Sequence, residues 1–339
     1  MKTYCGIDLH SNNNVIVVIN EEDMILLERK LSNSLGAVLD ALSSIREPIS
    51  AIAVESTYNW YWLVDGLQEA GYKLHLVNTI AVKQYDGLKY SNDKHDAFHL
   101  AHLLRLGILP TGYIYPKKER AVRDLLRRRM QLVQQRTTHI LSIKNQLTRN
   151  TGKQFKSNEV IKLTSSSVKQ KIKDPNIQEA ILSNVCVLNV LTSKITSLEK
   201  RVLKQVKLKP EFQKLLKVPG IGNILAMTIM LETGDISRFE KVGNYASYCR
   251  CVSSKRISNG KQKGRGNRKN GNKYLSWAYM EAANFAIRFN TKANKYYQKK
   301  MAKTMRIVAL KALSHKMARA CYYVIKNNED FDNQRLFST

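Results

Sequence analysis

The 339 residues, 43% of them hydrophobic, suffice for more than one core, and the length points to two or three domains. Fifty-six Lys and Arg against 27 Asp and Glu leave a formal net charge of +29, an excess that favours a polyanionic partner through phosphate neutralisation and counterion release. An integral membrane protein is excluded on this reading, because no apolar run approaches the roughly 20 residues of a spanning helix, and the start Met1-Lys2-Thr3-Tyr4-Cys5-Gly6 lacks the form of a signal peptide, so a cytoplasmic chain bound to nucleic acid is expected.

Residues 1–112 alternate strand-like and helix-like stretches. Residues 4–8 and 15–19 are apolar and β-branched, Asn20-Glu21-Glu22-Asp23 is a turn, and residues 24–30 read as a third strand. A helix over 35–45 is stopped by Pro48. A strand over 49–55, a helix over 58–70 ended by Gly71, a strand over 73–77 and helical material through Leu106 follow. Three strands, then alternating helices and strands, make an α/β domain in the ribonuclease H-like order.

Four carboxylates stand out in this domain. Asp8 ends the first strand, Glu55 closes the fourth, and Asp93 and Asp96 are three apart, which on a helix places them on one face. Buried charge is costly unless neutralised, and a divalent cation bound by oxygen ligands supplies the neutralisation. Taken singly, Asp8 reads equally as a turn residue before His10-Ser11-Asn12, Glu55 as a helix cap, and Asp93 and Asp96 as first-turn acids favoured by the helix dipole. Taken jointly, in a chain so poor in acid, they read as one metal site. His95, His99 and His102 lie nearby, but a hard cation prefers oxygen, so ordinary helix positions are expected for them. Of Tyr58, Trp60, Tyr61 and Trp62, most are expected in the core, with one or two rings free to stack on bases.

Residues 113–208 read as a helical spacer. Apolar residues from Val122 to Leu147 recur at helical spacing amid Arg and Gln, and a second such run covers 177–206. Between them lies a polar stretch with Gly152, Ser165 to Ser167 and Pro175. Two long helices forming a coiled coil with a loose tip are expected, two helices of a globular bundle being the alternative.

Residues 209–339 read as a third, mainly helical domain. Pro219-Gly220-Ile221-Gly222 before a helix has the form of a hairpin whose glycines let backbone N–H groups approach a phosphate, although an ordinary tight turn looks the same. From Lys241 to Lys273 there are ten Lys and Arg and no acid, interleaved with Gly, Asn and Ser. Such a segment is expected to wrap phosphates as a flexible backbone, with Lys255, Arg256, Lys261, Lys263, Arg265, Arg268, Lys269 and Lys273 as the contacts. A helix from about Tyr274 carries Trp277, Met280 and Ala283 on its expected core face, and the tail from Glu329 is expected to fray. The five cysteines, at 5, 186, 249, 251 and 321, are scattered and lack any C-x-x-C, so reduced thiols are expected. The Cys249 and Cys251 pair has no partner pair to complete a zinc site.

Gly6-Ile7-Asp8, Glu55-Ser56-Thr57-Tyr58-Asn59-Trp60, Asp93-Lys94-His95-Asp96-Ala97, Pro219-Gly220-Ile221-Gly222 and residues 267–275, in that order, resemble the DEDD transposases of the IS-one-ten (IS110) insertion-sequence family, and most closely its IS-eleven-eleven subgroup. The resemblance covers nearly the whole chain. It implies a RuvC-like metal domain using Mg2+, with Mn2+ as a substitute, a coiled-coil spacer, and a C-terminal domain with a nucleophilic serine. It implies as partners DNA, a structured non-coding guide RNA encoded by the element, and further copies of the chain in a dimer or tetramer. Carried over residue by residue, Asp8, Glu55, Asp93 and Asp96 match the four acids and Ser258 the nucleophile. Around the serine, Asn259 stands where the family commonly has glycine and Ser253 where it has proline, which leaves Ser254 and Ser253 as lesser candidates. Two other readings stay open: a hydrolytic RuvC-like nuclease or junction resolvase, and a nucleic-acid-binding protein without catalysis.

Overall fold

The computed structural model describes residues 2–82, 92–252, 256–264 and 270–337, with Arg256 described by its backbone alone. The chain divides into two compact units, Met1–Lys117 and Lys118–Thr339.

The first unit contains β1 (Thr3–Leu9), β2 (Asn13–Ile19), β3 (Ile25–Ser32), α1 (Leu35–Ser43), β4 (Ile49–Glu55), α2 (Tyr61–Glu69), β5 (Leu74–Val77), α3 (Thr79–Val82) and α4 (Asp93–Arg105). The sheet order is β3-β2-β1-β4-β5, with β1 antiparallel to β2, β2 to β3, and β4 parallel to both β1 and β5. The turn between β2 and β3 is built by Asn20, whose Oδ1 accepts from the N–H groups of Glu22 and Met24.

Strand alternation assigns the two faces. Cys5, Ile7 and Leu9 of β1 and Ile52 and Val54 of β4 face α1 and α2, packing with Val38, Leu42, Leu63 and Leu67. On the opposite face lie Tyr4, Gly6 and Asp8 of β1 and Ala51, Ala53 and Glu55 of β4, and α4 covers them through Ala97, Leu100, Ala101 and Leu104. Both strands therefore carry small residues where the helix presses and an acid at the end. At Gly6 the approach is so close that a Cβ would stand 2.0 Å from the Ala97 carbonyl oxygen and 2.8 Å from the Ala101 nitrogen.

The far end of α4 is tied to the β2–β3 turn. Asp23, in the left-handed region at φ 63°, receives the Arg105 guanidinium at 2.7 and 2.6 Å and lies 3.0 Å from His102 Nδ1. Burial alone would raise the Asp23 carboxyl, but the bonds from His102 and Arg105 outweigh it and hold the group below the usual carboxylate range.

Among the described residues, the second unit is helical apart from one hairpin. Two long helices, α5 (Lys117–Thr151) and α8 (Pro175–Val206), run antiparallel, as the pairs Arg129 with Glu199 and His139 with Asn184 require. The connection is not the loose tip expected. It forms α6 (Ser157–Ile161) and α7 (Ser165–Lys171), and Val160 and Val168 of these helices, with Leu163 and Ile172 just after them, are buried in one cluster with Ile143 and Leu147 of α5 and Ile181 of α8. Thr164 caps α7, and Asp174 caps α8 with Pro175 in its first turn, so the serines at 165–167 and Pro175, expected in a loose stretch, stand at helix starts. Contrary to the expectation of no spanning-length apolar run, α8 is long and apolar enough to cross a membrane by length and composition alone. Its Ile181, Val185 and Leu188 are instead spent on packing against α5.

The remaining elements are α9 (Pro210–Leu216), α10 (Asn223–Thr233), a 3-10 turn (Ile236–Arg238), α11 (Val242–Tyr248), the strands β6 (Arg256–Ser258) and β7 (Lys261–Gly264), α12 (Lys273–Phe289), α13 (Thr291–Met301), α14 (Arg306–Lys326) and α15 (Asn333–Phe337). They share a core with Leu126, Val202 and Val206 of the long helices. The core face of α12 is Leu275, Ala278, Tyr279, Ala282 and Ala286, with Ala283 also buried. Trp277 and Met280, expected there, are only partly buried at its flank. Alanines prevail because α10 and α14 both pack on this helix, leaving little room for larger side chains. The tail is also more ordered than expected: α15 packs Phe337 against Tyr296.

Candidate metal centre and basic arm

The carboxylates of the first unit converge because of the small residues beneath α4. Asp8 is buried two positions beyond Gly6, Glu55 ends β4 two positions beyond Ala53, and Asp93 and Asp96 occupy the first turn of α4. Asn92 caps that turn, its side chain accepting from the His95 N–H at 2.9 Å, while the helix dipole favours both acids.

Glu55 shares a hydrogen bond with Asp8 and feels the charges of Asp8 and Asp96. Burial, that bond and those charges together push its carboxyl up to about 8. Two carboxylates this close share a proton unless a cation intervenes.

The residue that the sequence reading missed is His10. Its Nε2 lies 3.2 Å from Asp8 Oδ2 and 3.5 Å from Asp93 Oδ2, and ligand atoms of Asp8, His10 and Asp93 all fall within 4.8 Å of one another. Nε2 is buried yet completes no hydrogen bond of good geometry. An orphaned nitrogen between two carboxylates is the donor set expected of a divalent-cation site, with imidazole joining oxygen ligands. Glu55 and Asp96 flank this group, Asp96 from an exposed position. Lys30 Nζ, 3.6 Å from Asp93 Oδ2, supplies positive charge at the outer edge.

The position of His10 is set from a distance. Its carbonyl accepts from Asn33 Nδ2 at 3.0 Å and Asn59 Nδ2 at 2.9 Å, which pins the turn after β1 to segments 23 and 49 residues away. The only sequence signal was its place two residues after Asp8. His95 and His99 stack at 6.3 Å, and His102 serves Asp23, so none of the three joins the cluster. Tyr58 is the exposed ring of its aromatic group, and Trp60 is buried.

A pH prediction follows from Glu55. Its folded pKa is raised, so between about pH 4.5 and 8 the Glu55 carboxyl holds more of its proton in the metal-free folded state than in the unfolded chain, and its contribution to stability is lost as pH rises through that window. Melting temperature without metal is expected to fall more steeply from pH 5 to pH 8 in the parent protein than in Glu55→Gln, and Mn2+ is expected to restore it at pH 8. Parallel pH profiles with and without Mn2+ would detach Glu55 from the site.

In the second unit Ser258 is exposed at the end of β6, paired with Lys261 across an Asn259-Gly260 turn with φ of 49° and 70°. Two successive residues at positive φ make the tight turn that suits the twist of a two-stranded hairpin. The segment expected to be flexible thus includes an ordered hairpin, and Asn259, at the position where a glycine was expected, has a conformational role there. Lys261 and Lys263 are exposed on β7, and Lys273 is exposed in the first turn of α12. Ser253, Ser254, Lys255, Arg265, Arg268, Lys269 and the side chain of Arg256 lie outside the described residues. The base of this arm is anchored: Arg250 donates to the carbonyls of Asn270 and Gly271, and Asn272 caps α12 while donating to Glu232, which also holds Arg127 bidentately at 2.6 and 2.7 Å.

The Pro219-Gly220-Ile221-Gly222 turn joins α9 to α10. Gly220, at φ 85°, presses on α12 so that a Cβ would stand 2.3 Å from the Ala282 oxygen and 2.6 Å from the Ala286 nitrogen, which accounts for its glycine by packing. Gly222, the N-cap of α10, faces open space.

Residues 5–150 match the DEDD transposase family of IS110 elements, and residues 212–298 match the transposase family IS116/IS110/IS902. Over 248 residues, 71% of this chain and 72% of the relative, the sequence is 23% identical to a probable family 20 transposase of Pseudomonas aeruginosa.

Proposed function

Because the chain belongs to the IS110 family of transposases, which bind DNA and whose DEDD designation implies a divalent metal, we propose that it is an RNA-guided recombinase that cuts and rejoins DNA through a serine phosphodiester. The observation that carries this reading is the meeting of Asp8, His10 and Asp93, with Glu55 hydrogen-bonded to Asp8, drawn from sites up to 85 residues apart by the sheet and α4. The sheet order β3-β2-β1-β4-β5 supports a ribonuclease H-like, RuvC-like domain.

In this reading Asp8, His10 and Asp93, flanked by Glu55 and Asp96, hold Mg2+ or Mn2+. A cation so held stabilises developing charge on the scissile phosphate. The Ser258 hydroxyl gives up its proton as its oxygen bonds to phosphorus. The bond from phosphorus to a deoxyribose oxygen breaks, and that oxygen leaves as a hydroxyl. A hydroxyl of another strand then attacks the serine-linked phosphorus and releases Ser258, so the phosphodiester is kept and no outside energy source is needed. Lys261, Lys263, Lys273 and the N–H groups at Gly222 bind phosphates, joined by Lys255, Arg256, Arg265, Arg268 and Lys269. The element's non-coding RNA supplies sequence recognition by pairing. The antiparallel α5 and α8 serve as a coiled-coil spacer that joins copies into a dimer or tetramer, and the likeness to the IS-eleven-eleven subgroup belongs to the same reading.

The test is a denaturing gel of the protein with the flank-derived RNA, labelled element-junction DNA and Mg2+. A labelled protein–DNA adduct is expected, lost in Ser258→Ala. Free cleaved DNA that is indifferent to Ser258→Ala would mean that water attacks, as in a hydrolytic nuclease. Binding without breakage would mean a carrier protein.

A further inference from the structure

Beyond the basic arm, positive charge collects in a second place. Residues 282–328 contain eleven Lys and Arg and no acid. They form α13, α14 and the end of α12, and between α13, α14 and the C-terminal segment lies a cavity of about 780 Å³. That volume falls in the range of ordinary small-ligand pockets.

Its walls differ in how their charges are used. Lys300, Lys316 and Arg319 point into the cavity, and among the described residues none of the three pairs with a carboxylate. Their mutual repulsion shows at Lys316, held below the ordinary lysine range by burial and then by Arg319 and Lys300. The acids on the opposite rim are already engaged. Asp330 pairs with Lys217 at 2.7 Å, Asp332 caps α15, and Glu329 lies 3.6 Å from Arg335. The unspent charge in the cavity is therefore positive. Beside it stands an aromatic surface: Tyr296, with Lys316 Nζ 5.4 Å and Lys300 Nζ 5.8 Å from its ring centre, and the exposed Tyr323.

We propose that this cavity takes one unpaired nucleotide of a nucleic-acid strand, with its phosphate on Lys316 and Arg319 and its base against Tyr296 and Tyr323. Like charges crowded in a concave site favour a phosphate, because binding relieves their repulsion as well as adding attraction. A bare phosphate would leave most of the volume and both rings unused, whereas a nucleotide fills them, base–aromatic stacking contributing about 1–3 kcal/mol. The acid-free surface of α13 and α14 gives the rest of the strand a path to the cavity. The inference rests on the reading of the chain as an enzyme of nucleic acid, and it adds a single-strand site separate from the hairpin arm.

The experiment uses the full-length protein with fluorescein-labelled oligouridylate, oligothymidylate and a DNA duplex, followed by anisotropy. In Lys316→Ala/Arg319→Ala, affinity for a single strand is expected to fall about tenfold, or ~1.4 kcal/mol, with duplex affinity unchanged. Loss confined to oligouridylate assigns the site to RNA, and loss confined to oligothymidylate assigns it to DNA. The exchanged pair Lys316→Arg/Arg319→Lys is expected to restore binding, which guards against a folding defect. Strands carrying 4-thiouridine or 4-thiothymidine are expected to cross-link at Tyr296 or Tyr323. Cross-links mapping wholly elsewhere, or unchanged single-strand affinity in the double alanine variant, would overturn the site while leaving the transposase reading in place. Failure of the protein to bind any of the three probes would overturn both.

Discussion

Glu55→Gln is expected to yield a folded protein that scarcely cuts DNA, with turnover down by about a hundredfold to a thousandfold, the scale seen when one transition-state stabilising group is removed. The fold should survive because the Glu55 carboxyl already sits near 8, so at neutral pH without metal it holds a proton much as an amide would. Asp8→Asn should be equally inactive for a different reason. It replaces a ligand of the compact group by a neutral amide, and it also removes the Asp8 charge that helps to raise Glu55, so the remaining carboxyl should ionise at lower pH. Both variants should lose Mn2+ binding by calorimetry, and in Asp8→Asn the pH at which Glu55 titrates should fall below that of the parent protein. Full cleavage by either protein would remove the carboxylates from catalysis.

Gly6→Ala is expected to damage both stability and activity, although it adds one methyl group. The new Cβ would meet the backbone of α4 at 2.0 Å, and backbone cannot rotate aside as a side chain can. The helix must lift by roughly an ångström or more. Overpacking of this kind costs about 1–3 kcal/mol and sometimes more, and a displacement of about 1 Å at reacting groups costs about a hundredfold in rate. Urea denaturation and single-turnover cleavage measure the two effects. Gly36→Ala is the control, since its Cβ meets nothing nearer than Ser34 Oγ at 3.9 Å and alanine favours the helix. Equal behaviour of the two variants would show that the seat of α4 on Gly6 does not set the positions of Asp93 and Asp96.

The parts of the molecule legible in the sequence were those written locally. The apolar runs of β1, β2 and β4 carry their own period, and acids stand at the ends of β1 and β4, so the order of elements and the meeting of carboxylates could be expected. His10 could not, because its place depends on Asn33 and Asn59 reaching its carbonyl from distant segments. The tip of the long helix pair read as loose because Ser, Thr and Pro favour loops and helix starts alike, and Val160 and Val168 find their partners only once α5 and α8 are side by side. The core face of α12 was misplaced because large Trp277 outweighed a row of alanines, yet close packing on both sides selects the alanines. The hairpin was legible in principle: Asn259-Gly260 is a strong two-residue turn signal, but the surrounding cations argued for disorder.

The anchoring of α4 has a geometric consequence. Its last turn is clamped to Asp23 by Arg105 and His102, and its middle is seated on Gly6 through Ala97 and Ala101, so the helix has no freedom to turn about its own axis. The bearing of Asp93 and Asp96 is therefore fixed by counting residues back from that seat, at about 100° for each. One residue inserted between Asp96 and Ala97 would keep every acid and every hydrophobic contact of the helix and still swing both carboxylates a quarter-turn or more from Asp8. The site depends on the phase of a helix as much as on the identity of its ligands.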